Sequence, residues 1–248
     1  MDACQWFRCW FVPHCGSDRP LLTVACRPLI ARDVSGPEET WDSAEDRPQL
    51  ITASTLEQWK SELRTDRLDW VCVHELGEDR VYDNREQQEL CATWLQQEKI
   101  SRLGIWNPGA DAAEKYGHNT PYSFMIRPFN IANSDSSAFY SCHELGWDCY
   151  TCSPFVRGWD LDKLVDAGGD CSDCMSVARV ADHMLRFSLH QPFSSGLVSA
   201  SRRVEWLDAN LESVKRGPLS PEQWQWLCSL AVAAGLVEMP ATGRAAAL

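Results

Sequence analysis

The sequence predicts an α+β fold with short mixed strands and helices in its first half, a four-cysteine metal site, and a helical C-terminal third. Three observations predict it. Strand-like apolar runs alternate with helical patterns up to residue 126. Two Cys-x2-Cys pairs stand 18 residues apart, and beyond residue 175 apolar residues recur at helical spacing.

Each element has a local reason. Residues 5–12 and 20–26 read as two strands around the turn 16–20, and a symmetric hairpin brings Cys9 near Cys26. Residues 31–48 are rich in Pro, Gly, Ser and acid and read as a surface loop. Ser54, with Glu57 three residues on, predicts a capped helix carrying Leu56 and Trp59. Residues 70–73 predict a strand. Asn84 is placed to cap a helix with Leu90, Trp94 and Leu95 on its apolar side. Residues 102–106 predict another strand, ended by Asn107-Pro108-Gly109, and residues 122–126 a further one. This alternation points to an α+β or α/β layer. The last third carries three helical patterns. The first holds Val177, Val180, Ala181, Met184 and Leu185, and the second Val204, Leu207, Leu211 and Val214 up to Gly217. Ser220-Pro221-Glu222-Gln223 opens the third, which carries Trp224, Leu227 and Leu230 and stops at Gly235.

The chain divides in this reading into residues 1–137, an α+β domain with the N-terminal hairpin and the acidic loop 31–48, and residues 138–248, a metal knuckle plus C-terminal helices. The two parts are equally readable as one continuous domain. His-Glu-Leu-Gly occurs at 74–77 and again at 143–146, with Asp79 and Asp148 at the same offset. The flanks do not align, so the echo is read as chance.

The strongest motif is Cys149-x2-Cys152 followed by Cys171-x2-Cys174. Two residues between cysteines let a tight turn present both thiolates to one tetrahedral ion, and two such grips supply four ligands. The second pair opens a predicted helix, whose first N–H groups favour thiolate. A knuckle, a connection and a helix that gives ligands from its first turn resemble a treble-clef zinc finger, with a spacing similar to that of GATA-type fingers. The resemblance covers residues 149–188 and implies a structural Zn2+. An iron–sulfur cluster takes the same four ligands, and Cys142 or His143 could replace one of them. The segment 153–170 holds Arg157 and Lys163 against Asp160, Asp162, Asp166 and Asp170, so the DNA contact of such fingers is not expected. Cys9, His14, Cys15 and Cys26 are a weaker second metal set. Cys4, Cys72, Cys91 and Cys228 read as core.

Composition narrows the functions. The 248 residues carry 23 Lys plus Arg against 35 Asp plus Glu, a formal charge of -12 that disfavours nucleic acid and anionic lipid. No apolar run is long enough to span a membrane. The first ten residues show no basic-then-apolar leader, which with 12 Cys suggests an intracellular, reducing setting, cytoplasmic or nuclear. There are also 12 Trp. Trp59, Trp94, Trp206 and Trp224 read as helix packing, Trp147 and Trp159 as walls of the metal site, and Trp41 as a partner anchor. No phosphate loop, nucleophile elbow or dinucleotide fingerprint appears, and His74-Glu75 and His143-Glu144 lack the second His of a zinc-protease helix. The expectation is a zinc-binding module that contacts another protein. The alternative is an enzyme with a polar cleft near His118, His143 and Glu144, in which the cysteines are scaffold.

Overall fold

The computed structural model describes residues 9–12, 21–25, 52–74, 85–155, 159–168, 177–199, 201 and 203–237. They fall into two compact units, the first ending at Arg127 but regaining Ser137–Cys149, the second made of Pro128–Ser136 and the chain from Tyr150 on.

In the first unit the antiparallel hairpin of β1 (Cys9–Val12) and β2 (Leu21–Ala25) is present, with Cys9 opposite Val24. After it the chain repeats one step: helix, then strand. α1 (Ala53–Leu63) leads to β3 (Leu68–His74), α2 (Arg85–Gln96) to β4 (Ile100–Trp106), α3 (Ala112–Tyr116) to β5 (Tyr122–Pro128), and α4 (Ser137–Glu144) to β6 (Asp148–Cys152). β2, β3, β4 and β5 pair parallel in chain order. Parallel pairing needs a long crossover between strands, and the intervening helices supply it. Strands covered on both faces should read as continuous apolar runs, and β3, β4 and β5 do so in Val71–Val73, Leu103–Ile105 and Phe124–Ile126, all buried. α1 begins two residues earlier than its sequence signal suggests. Thr52 is the cap, and its N–H donates to Thr55 Oγ1 at 3.0 Å.

One close approach sets the registry. Gly104 lies opposite Phe124, and the pairing slips between Leu103 and Gly104. A Cβ at 104 would collide with the Phe124 ring. The bare glycine lets that ring lie over β4 and meet Trp70 of β3, with centroids 5.0 Å apart. Arg102 covers both rings at 5.1 and 5.3 Å and is tied down by Ser123 O at 2.7 Å and Asp148 at 2.8 Å. A second cluster, Tyr116, Tyr122 and Trp147, spaces its rings 5.6–5.9 Å apart. Trp147 therefore packs against tyrosines.

The second unit holds α5 (Trp159–Ala167), α6 (Val177–Leu189), β7 (Gly196–Val198), α7 (Val204–Lys215) and α8 (Pro221–Ala233). Its last third is not purely helical, because β7 interrupts it and pairs parallel with β6 through Tyr150–Cys152. Phe187 stacks on Phe129 at 5.8 Å and meets Trp224 at 4.7 Å. The Ser220–Gln223 box forms as the sequence suggests, with Ser220 N–H on Gln223 Oε1 at 2.9 Å and Gln223 N–H on Ser220 Oγ at 3.3 Å. α7 differs from expectation. Val204, Trp206 and Leu211 are exposed, Trp206 by 52%. Its neighbour is met through polar groups. Arg216 and Arg186 bind Asp182 at 2.9 and 3.1 Å, and Arg186 donates to Gly217 O at 2.7 Å and Pro218 O at 2.6 Å. Burial would raise the Asp182 carboxyl, but the Ser213 hydroxyl and both guanidiniums outweigh it and hold it below the usual range. No helix among the described residues is long and apolar enough to cross a membrane.

Gly104→Ala should destabilise the protein by about 1–3 kcal/mol through overpacking, and Phe124→Leu should recover part of that loss in the double variant; denaturant titration reads both. Burial lowers His183 and His190 below the ordinary histidine value. The unfolded chain therefore protonates first, and stability present above about pH 6.5 is lost as pH falls toward the lower folded values. Melting temperature should drop between pH 7 and 5, with a shallower slope in His183→Gln/His190→Gln.

Candidate functional site

The cysteine motif does not fold as a knuckle. Cys149 and Cys152 lie on the extended strand β6, both fully buried. Residues three apart on a strand point to opposite faces, so this pair does not grip one ion. Cys149 Sγ donates instead to Phe139 O at 3.4 Å. Burial, with Asp148 adding, pushes its thiol up to about 12, and burial pushes Cys91 equally far, the reverse of what a ligand thiolate needs. Cys171 and Cys174 lie outside the described residues, as do His14, Cys15 and Cys26 of the weaker set. Among the described residues no group of three His, Cys, Asp or Glu could hold a metal. The zinc-finger reading and its Zn2+ are thereby corrected. Cys72, Cys91, Cys142, Cys149 and Cys152 are all buried.

The cleft residues expected from the sequence share one end of the strands. His118 precedes β5, and His143 and Glu144 close α4 just before β6, so all three sit at amino ends of strands. In folds of parallel strands and helices, ligands bind at the carboxyl ends, where the loops after each strand converge.

At those ends the first unit offers a different set. His74 closes β3 directly opposite Trp106, and Trp106 is opposite Ile126. Immediately after β4 the chain turns at Asn107 with φ 55, a left-handed conformation that Asn tolerates better than most residues. Three hydrogen bonds hold that turn. Asn107 N–H donates to Ile126 O at 2.7 Å. Arg127 Nη1 donates to Asn107 Oδ1 at 3.1 Å and to Pro108 O at 2.6 Å. Pro108 is buried while Asn107 is exposed, so the amide is presented at the surface from a fixed backbone. A non-glycine residue held at positive φ marks a position where geometry is over-determined, which is common at ligand sites.

The second unit repeats the device. Ser153, the residue after β6, has φ 56. Its carbonyl accepts from Asn130 Nδ2 at 3.1 Å, and Asn130 Oδ1 accepts from Ala132 and Asn133 N–H at 3.0 and 2.9 Å. The chain leaving β7 enters α7 at Arg203, whose guanidinium lies 5.1 Å from the Trp206 ring. A cation at a helix start suits an anionic group.

The sequence reading missed Asn107 and Arg127. Asn107-Pro108-Gly109 was legible only as the end of a strand. The signal that marks it as a site is its position after a strand in a repeated parallel unit, which needs the pairing.

Neither a protein-family model nor a curated relative matches the sequence. Solved structures do. An aldo-keto reductase of Bacillus halodurans aligns in its apo form with TM-score 0.53 at 17% identity, over 73% of this chain and 68% of that one. Its holo form gives 0.53 at 18% identity, over 73% and 66%. A thermostable aldo-keto reductase solved with the inhibitor epalrestat gives 0.52 at 21% identity, over 71% and 65%. The chain thus spans about two thirds of the length of these relatives. The likeness shows the fold, the TIM-barrel-like arrangement of the aldo-keto reductases, and overturns the α+β reading with a treble clef. With no group able to hold a metal among the described residues, the zinc-dependent interaction module expected from the sequence is corrected as well.

If the thiols are core groups, a thiol reagent should modify Cys72, Cys91, Cys142, Cys149 and Cys152 only after denaturation, and a chelator should leave the melting temperature unchanged. A fall of several degrees with chelator would contradict this assignment.

Proposed function

We propose that this protein is a nicotinamide-dependent reductase of small carbonyl compounds, acting at the carboxyl ends of β3, β4 and β5. The observation that carries the reading is the clamped Asn107 amide at a strand end of a fold shared with aldo-keto reductases. The donor set fits the cofactor. A nicotinamide presents a neutral, planar carboxamide, which a side-chain amide matches in shape and polarity.

When bound, the dihydronicotinamide supplies a hydride to the carbonyl carbon. The residues of this chain do the rest. Asn107 orients the carboxamide. Trp106, half-buried beside it, gives an apolar wall that limits water. Carbonyl plus hydride plus a proton gives the alcohol. We place it in a reducing, intracellular setting, cytoplasmic or nuclear, on its content of 12 Cys. The partner in this reading is a small molecule.

Purified protein should oxidise NADPH or NADH in the presence of an aromatic aldehyde, followed at the reduced cofactor's absorbance. Asn107→Ala should weaken cofactor binding, read as quenching of Trp fluorescence, by roughly 10-fold, in line with one lost hydrogen bond, with the melting temperature little changed. No quenching and no turnover with either cofactor across several aldehydes would refute the proposal.

A further inference from the structure

The geometry points to Arg127 as a positioning residue that decides which end of the Asn107 amide meets the ligand; this rests on the reductase reading above. A guanidinium has donors only. The atom of Asn107 that faces Arg127 Nη1 at 3.1 Å must therefore be the carbonyl oxygen, and the NH2 is turned away. Among the described residues that NH2 has no protein partner. The same Nη1 also binds Pro108 O at 2.6 Å, so the clamp fixes backbone and side chain of the turn together. The φ of 55 and the bond from Asn107 N–H to Ile126 O leave the backbone no freedom to present the amide otherwise. Without Arg127 the amide could rotate by half a turn and offer its oxygen. With it, the site presents a donor.

The consequence is chemical selectivity. The group read by Asn107 is a hydrogen-bond acceptor, the carbonyl oxygen of a carboxamide or a ketone, and not an amide N–H. Nicotinamide and 3-acetylpyridine dinucleotides separate these possibilities, because both carry the carbonyl and only the first carries the NH2.

The test is a binding comparison of NAD+ and its 3-acetylpyridine analogue, read by Trp fluorescence, on wild type, Arg127→Met, Arg127→Lys and Asn107→Asp. Wild type should bind the two within about twofold, since only the carbonyl is read. Arg127→Met should bind the analogue several-fold worse than NAD+, because a flipped amide rewards the ligand's NH2. Arg127→Lys should restore the wild-type ratio at least partly. Asn107→Asp keeps the clamp as an ion pair but offers only acceptors, so it should weaken the analogue more than NAD+, and adding Arg127→Met should change that ratio no further. Melting curves identify any variant that loses its fold, and the ratio is compared only among folded ones. A ratio unchanged in both folded Arg127 variants would overturn the positioning role while leaving the reductase reading intact. Binding of neither dinucleotide by wild type would overturn both.

Discussion

The parallel registry of β3, β4 and β5 depends on an absent side chain. At Gly104 the sheet has room for the Phe124 ring, and that ring reaches Trp70 across the intervening strand. The slip in pairing between Leu103 and Gly104 is set at the same place. Beyond it the strands run on to His74, Trp106 and Ile126 in one row. A larger residue at 104 would push β5 or its ring outward and displace that row, which rests on a packing contact roughly two residues back along the strand. Arg102 closes the same layer from the amino-end side, held by Ser123 and Asp148.

The second unit is organised differently. Its helices meet through Asp182, Arg186 and Arg216 and through backbone carbonyls at Gly217 and Pro218 as much as through apolar surface. Such a network costs desolvation, and losing either buried member, Asp182 or Arg186, would leave the other charge buried without its main partner. What it supplies is direction: a guanidinium with four partners fixes where α7 ends and α8 begins more narrowly than leucine packing would.

The cysteines show where motif reading fails. Cys-x2-Cys is a metal signature only when the two residues between form a turn. Here they are Tyr150 and Thr151, both strand formers, and both are buried, with Thr151 donating to Ser188 O at 2.9 Å. Strand pairing with β7 took the segment, and the sulfurs became small apolar groups in a core. The preference of Tyr and Thr for strands was visible in the sequence, and it was outweighed there by the regularity of the spacing. His118, His143 and Glu144 lie at amino ends of strands, a placement the sequence does not reveal, because polar residues before a strand and after a strand look alike until the direction of pairing is known.

By itself the sequence determined the local elements: the hairpin, the strands around Trp70, Arg102 and Tyr122, the three C-terminal helices and the Ser220 box. These follow from hydrophobic period and from contacts within four residues, which neighbouring side chains decide alone. It also determined that Cys72 and Cys91 would be buried. Only the tertiary structure decided that the strands pair parallel, that their carboxyl ends gather His74, Trp106, Asn107 and Arg127, and that Cys149 and Cys152 face apart. Arg127 and Asn107 are 20 residues apart in the chain and touch through one hydrogen bond across two strand ends. No period or spacing encodes such a contact, because it exists only once β4 and β5 have chosen their registry.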